Sequence, residues 1–196
     1  MRLLACTLLC FVLPAHAADD GWRETALDIH EARIDQAHER ATAALEGVGE
    51  DAYGREEIPK VKTLLAAPTA ARKYQTLLGK WRCASTQIGS DGIFAYPPFR
   101  CEISLTEDGT LNFAKTSGSQ RRHGQLFPFT DSGWVLLGGS TVNDDPIRPY
   151  SATLKVVDGE NTEFDTVGLA QTLADGRIRL ILDAEEGQVE LYTLSR

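Results

Sequence analysis

Between Leu27 and Val48 the chain repeats every three or four residues: Leu27, His30, Ile34, Ala37, Ala41, Ala44 and Val48 fall on one stripe. That period is the mark of an amphipathic helix, and Gly47 and Gly49 mark its end. The stripe is narrow and rich in alanine, so the helix needs a surface to lie on. A second helix is expected in EEIPKVKTLLA, where Glu56 and Glu57 precede Pro59 and Lys60 and Lys62 follow it. Acid first and base later suits the helix dipole, and proline fits a first turn. A third helical piece is expected from Thr69, as its cap, to Leu78, with Gly79 just past its end.

From Trp81 onward the period is two. Cys101, Ile103 and Leu105 alternate with Glu102 and Ser104, and Ile178, Leu180 and Leu182 alternate with Arg177, Arg179 and Ile181. These read as half-buried strands. Turn signals separate them at Asp91-Gly92, Asp108-Gly109, Ser117-Gly118 and Ser132-Gly133, then at Asp145-Pro146, Asp158-Gly159, Asp175-Gly176 and Glu186-Gly187. So many turns imply about nine short strands, nearly all antiparallel neighbours. Helices first and strands after is an α+β order. A long meander has two edges to hide; closure into a barrel removes them, whereas a two-sheet sandwich only shortens them. The expected architecture is an N-terminal helical segment, 18–78, and an antiparallel meander β-barrel, 79–196, with a two-sheet β-sandwich as the alternative. The helices would cover one end or one outer face of the barrel.

The first residues change where this fold is expected to reside. Arg2 precedes the apolar run LLACTLLCFVL, and Ala15-His16-Ala17 is a small-x-small site. Residues 1–17 therefore read as a signal peptide cleaved after Ala17, which makes the protein periplasmic or secreted. The run is shorter than the roughly 20 apolar residues of a membrane span, and no later stretch reaches that length. Lys and Arg number 20 against 28 Asp and Glu, a net charge of −8. That balance argues against nucleic acid or an anionic membrane surface as the main partner. Cys6 and Cys10 would leave with the leader. Cys83 and Cys101 would then pair as a disulfide in an oxidising compartment. Their midpoint is Gly92, so they are expected to face each other across the first hairpin, on the apolar side beside Trp81. Pro97-Pro98 is expected to bend or bulge the second strand.

Two stretches carry resemblances. Gly79-Lys80-Trp81, at the start of the first strand, resembles the G-x-W opening of lipocalin-type (calycin) barrels. That likeness implies a Trp plugging the closed end with a late-strand Arg across it. Over most of the chain, Trp81-Arg82-Cys83, Phe99-Arg100-Cys101 and Gly118-Ser119-Gln120-Arg121 resemble the W-R-C, F-x-C and G-S-Q-R motifs of a family of small exported Gram-negative proteins. That family is known only as a domain of unknown function. The resemblance implies a periplasmic location and carries no activity, substrate or catalytic residue.

Candidate chemistry centres on TSGSQRRHG, residues 116–124. One reading is an anion site, with backbone amides of 117–119 beside guanidinium groups. The favoured reading is a turn entering a strand, which sends Arg121 and His123 to one face and Arg122 to the other. If Phe127 and Phe129 point inward, so does Arg121, which then stacks on Trp81 or pairs with an interior acid; Leu126 argues for the opposite register. His30, His38 and His123 have no metal-ligand spacing and read as exposed histidines, and no metal or cofactor is expected. No G-x-S-x-G occurs, and Asp144-Asp145-Pro146 with Arg148 and Tyr150 reads as a solvated loop. Gly138 and Gly139 are expected to relieve crowding where a strand bends. The leading functional expectation is an exported, non-enzymatic protein of unknown role. It would hold a small apolar or amphipathic ligand near Trp81, Phe113, Arg121, Phe127, Trp134 and Leu136. The alternative is an interaction or inhibitor module of the cell envelope, whose Ala-rich helix docks on a partner protein. An enzyme ranks third, with no catalytic residue assigned and Arg121 and His123 as the first positions to test. Oligomeric state is left open.

Overall fold

The alternation from Gly79 onward forms one antiparallel sheet that closes on itself. The computed structural model describes residues 20–153, 162–183 and 187–196. Its strands are β1 (Gly79–Gly89), β2 (Gly92–Ala95), β3 (Phe99–Leu105), β4 (Leu111–Lys115) and β5 (Gln120–Thr130), followed by β6 (Gly133–Val142), β7 (Asp165–Thr172), β8 (Ile178–Asp183) and β9 (Val189–Ser195). From β3 each strand pairs with the next, and β9 returns to β1 with Cys83 opposite Leu194 and Gln87 opposite Glu190. The result is a closed eight-stranded barrel with one extra strand, in an α+β arrangement. Closure, not a sandwich, removes the edges.

Nine strands form, but not the nine the turn signals outline. The run after Asp91-Gly92 breaks at Pro97-Pro98 into β2, beside Thr86–Gly89, and β3, beside Gly79–Cys83. Proline cannot donate to the ladder, so the break falls there. In compensation, the run after Asp145-Pro146 is not a strand where it is described: Ser151–Thr153 is a 3-10 turn. The signal Asp158-Gly159 lies outside the described residues. The disulfide is diagonal because the turn centres between Ser90 and Asp91, with Gly89 opposite Gly92, and the break adds one residue to the second strand. Trp81 is opposite Cys101 and Cys83 opposite Phe99, with the Cys83–Cys101 bond joining them at a Cα separation of 6.0 Å. Both sulfurs face inward beside Trp81, as parity requires.

The helices clad the outside of this barrel. They are α1 (Asp28–Asp35), α2 (Ala37–Glu46) and α3 (Ile58–Ala66, with Pro59 in its first turn). The single helix expected over 27–48 is two, broken at Gln36 (φ −96°, ψ 11°). The break lets one stripe serve two surfaces. Ile34 joins Trp22 against Val135, Leu137 and Val167. Ala37, Ala41, Ala44 and Leu45 pack on Ile88, Leu169, Ile181 and Leu191. Alanine suits that contact because it lets the helix approach the sheet closely. The helix expected over 69–78 does not form, because its backbone is used elsewhere: Thr69 bridges Leu173 and the Ala70 N–H bonds the Thr172 carbonyl at 3.0 Å. A single 3-10 turn, Tyr74–Thr76, remains.

Arg179 pins α3 to the barrel. It points outward from β8, yet it is 2% exposed. Its guanidinium donates to the Leu64 and Leu65 carbonyls at 2.6 and 2.7 Å and to Gln171 Oε1 at 2.8 Å. The carbonyls at a helix C-terminus lack partners within the helix, and a cation there satisfies them. Arg33 and Arg40 reach from α1 and α2 to one carboxylate, Asp183, at 2.7 and 2.6 Å.

Replacing Cys83 and Cys101 together by alanine is expected to lower unfolding free energy by about 3 kcal/mol, since the bond closes a loop of intermediate length. Urea denaturation of the two proteins measures the loss, and an unchanged midpoint would rule it out.

Candidate functional site: the polar mouth of the barrel

The motif TSGSQRRHG is the corner that feeds β5. Gly118 is at φ 85°, and a Cβ there would come within 2.8 Å of the Phe99 ring. The Ser117 hydroxyl accepts the Arg100 N–H at 2.7 Å. From this corner the face of each β5 residue follows from one apolar position. Leu126 is buried in the barrel interior. Alternation then turns Arg122 and Gln120 inward, and Arg121, His123, Phe127 and Phe129 outward. The two phenylalanines pack beneath the N-terminal segment, Phe129 edge-on to Trp22 with ring centroids 5.9 Å apart.

Arg121 therefore does not enter the interior. Its Nε donates to the Asn143 carbonyl at 3.4 Å, and its guanidinium stands 3.9 Å from the exposed Asp144 carboxylate. The residue across Trp81 is Arg196, 4.7 Å from the ring centroid, while the indole N–H donates to the Leu77 carbonyl at 2.8 Å. Trp81, Phe113, Trp134 and Leu136 come together in one interior cluster; Arg121 and Phe127 lie on the other side of the sheet. The four interior side chains are at most 6% exposed and fill the lower barrel with their neighbours. At Gly138 β5 runs so close that a Cβ would fall on the His123 carbonyl.

Above this packing the interior turns polar. Arg122 donates to one Glu190 oxygen at 2.8 Å, and the Ser85 hydroxyl donates to the other at 2.6 Å. Lys115 is 3% exposed; its ammonium donates to the Gln120 carbonyl at 2.6 Å and stands 4.0 Å from the Phe99 ring centroid. Burial pushes the Lys115 pKa down against the pull of Glu190, and Arg122 and Arg121 push the same way. Burial also works against the Arg122 charge, but Glu190 and Tyr192 outweigh it, so that guanidinium holds its proton more tightly than usual. Burial raises the Tyr192 phenol, with Glu190 adding to it. Two buried atoms in this layer, Arg122 Nε and the Tyr192 hydroxyl, have no hydrogen-bond partner.

A cavity of about 550 Å³ opens from this layer at the barrel mouth. Gln87, Gln120, Arg122 and Glu190 line it from the barrel, and His30, Asp165 and Asp183 line it from the rim. His30 is not an exposed histidine: it is 3% exposed, and its Nδ1 lies 2.7 Å from the Tyr150 hydroxyl, which also accepts the Leu27 N–H at 2.9 Å. Tyr150, expected in a solvated loop, is buried, and burial pushes its phenol up to about 12. Burial lowers the His30 pKa, with Asp165 and Asp183 opposing and Arg33 assisting. His38 is lowered by burial too, although its bond to Gln171 opposes this. His123, on the outer face, is lowered by burial and by Arg121. Among the described residues no three His, Cys, Asp or Glu side chains converge as a metal site, and no helix is long and apolar enough to cross a membrane.

Sequence reasoning missed Glu190, Lys115 and Arg122 as one constellation. The signal was parity: Glu190 shares the face of Tyr192 and Leu194, and Lys115 that of Phe113. A charge on an apolar face is the trace of an interior ion pair.

With this geometry in place, comparison with known proteins gives one positive finding. Residues 22–194 match the model of a family described as Domain of unknown function (DUF4893). The chain belongs to that family. No curated protein and no solved structure matches it, so nothing extends the lipocalin likeness beyond the barrel itself.

Glu190→Gln is expected to destabilise the fold by about 2 kcal/mol, because it takes the charged partner from half-buried Arg122. The double variant Arg122→Met, Glu190→Leu is expected to lose much less, and a double-mutant cycle in urea reads the difference. The histidines give a pH dependence of known sign. A group held neutral in the fold binds fewer protons than in the unfolded chain, so its contribution declines as pH falls below the ordinary histidine value of about 6.5. The loss levels off once pH is below the depressed folded value. Unfolding free energies measured between about pH 7.5 and 5.5 are expected to fall, and His30→Gln is expected to flatten the slope.

Proposed function

We propose that this protein is exported to the cell envelope and works as a binding protein that takes a small polar ligand into its barrel mouth. One observation carries the reading: an ion pair of buried Glu190 and half-buried Arg122 faces a cavity of about 550 Å³, above the packed lower barrel. Taking an ion pair out of water seldom adds stability. Its value here is a fixed set of donors and acceptors at the cavity floor, where Arg122 and Glu190 stand beside Gln87 and Gln120. Trp81, Phe113, Trp134 and Leu136 act as the packed base beneath that floor. The ligand is thus polar, not the apolar molecule that aromatic patterning alone suggests. The leader-like residues 1–17 and the Cys83–Cys101 bond support export.

The interaction-module reading loses one of its supports, because the Ala-rich stripe is covered by the protein's own barrel. It gains another in an open groove of about 410 Å³ on the opposite wall, where Phe127, Leu137 and the 67% exposed Ile147 border His123.

The test is native mass spectrometry of protein purified from its source envelope, followed by thermal shifts with polar metabolites and with fatty acids. Retention of a polar molecule, or stabilisation by one that Arg122→Met abolishes, is the expected result. Stabilisation by fatty acids alone would overturn the proposal.

A further inference from the structure

We infer that the ligand is an oligosaccharide, and that the β1–β2 hairpin carries an aromatic platform for a second sugar ring beside the mouth. The inference rests on the mouth being a polar-ligand site and adds the chemical class. β2 pairs with β1 and with no other described strand, and a bridge from Tyr53 to Gly92 covers its free edge. Ile93, 0% exposed, anchors its outer face under the helices, so the hairpin is a fixed flap that extends the wall. Gln87, opposite Phe94 in the ladder, lines the cavity. Cross-strand partners share a face, so Phe94 and Tyr96 lie on the cavity side of the flap. The Tyr96 hydroxyl confirms this by donating to Gln87 Oε1 at 3.3 Å.

Three large aromatics are exposed here: Tyr53 at 67%, Phe94 at 40% and Tyr96 at 41%. Tyr53 and Phe94 are stacked, with centroids 5.3 Å apart and planes 19° from parallel. A rigid flat apolar surface next to planar polar groups is an unusual pairing. Clustered exposed aromatics mark a contact site. An apolar ligand would use the aromatics and leave Gln87, Gln120, Arg122 and Glu190 unpaired. A simple ion would use the charges and leave the aromatics idle. A pyranose uses both kinds of surface. Its axial C–H face lies against an aromatic ring, and its hydroxyls, each both donor and acceptor, meet amide, guanidinium and carboxylate edges. One ring seated on Glu190 and Arg122, and the next on the flap, accounts for the two halves together.

Saturation-transfer NMR and calorimetry test this with glucose and N-acetylglucosamine and with their tetramers in β-1,4 and α-1,4 linkage. At least one tetramer is expected to bind about tenfold or more tightly than its monomer, and Phe94→Ala is expected to erase that gain. Phe94 and Tyr53 are exposed, so Tyr53→Ala is a second variant that tests the platform without disturbing the interior. A sugar that binds the mouth with no gain from chain length, or a gain untouched by both variants, would overturn the platform and leave the polar site standing. Absence of saccharide binding, with a non-sugar polar molecule held by Arg122, would overturn the sugar assignment alone. Fatty-acid binding in place of either would overturn this inference and the polar site together.

Discussion

Closure of β9 onto β1 is the constraint on which the rest depends. Once the sheet is a ring, every strand residue faces either a finite interior or the outer wall, and parity along each strand assigns it. The interior holds about as many side chains as an eight-stranded barrel can pack. Its lower part takes Trp81, Trp134, Leu136, Leu180 and Leu194, capped by Leu77 and Arg196. The hydrophobic gain is collected there, and the upper part is left free to be polar. The outer wall cannot be left bare where β7, β8 and β9 are apolar on both faces, so the helices are required cladding. Leu169, Ile181 and Leu191 are the outward residues that demand it.

The barrel type and the disulfide were legible because both rest on local rules. Alternation, turn dipeptides and shared parity need no knowledge of distant partners. Pro97-Pro98 was legible as a break, though its effect on register was not. One extra residue there moves Cys101 from opposite Lys80 to opposite Trp81, which brings both cysteines to the same face. Helix ends were less legible, since periodicity alone cannot say where a stripe changes the surface it serves. Gln36 is no helix breaker by type; the two patches of the barrel wall break the helix there. Thr69–Leu78 failed for a similar reason, because its backbone pairs with the end of β7 in preference to itself.

The face of TSGSQRRHG turned on two competing cues, and the weaker-looking one governed. Two phenylalanines suggest an interior more strongly than a single leucine does. Yet Phe127 and Phe129 have an outer core of their own, made by Trp22, Ala26 and Leu27. A second core under the N-terminal segment cannot be read from β5 alone. The motif's role is now plain in structural terms. Gly118 packs on Phe99, Phe99 lies two residues from Cys101, and Cys101 is bonded to Cys83. The three motif stretches meet at one corner, and that corner aims Arg122 into the barrel.

This convergence argues for the mouth as the working end. A stabilising corner could be built from apolar residues alone, and at the closed end it is. At the open end the same scaffold holds Arg122, Lys115 and Glu190 in a space where each charge costs solvation. Only part of that cost is returned by the bonds to Ser85, Thr166 and the Gln120 carbonyl. Two buried polar atoms remain unmatched in the same layer. A fold that needed only to stand would shed such groups, since apolar replacement of a buried pair is commonly neutral or better. The charged members that do reach the cavity, Arg122 and Glu190, stand at its floor with Gln87 and Gln120, and that placement gives the polar layer a use: holding whatever enters the mouth.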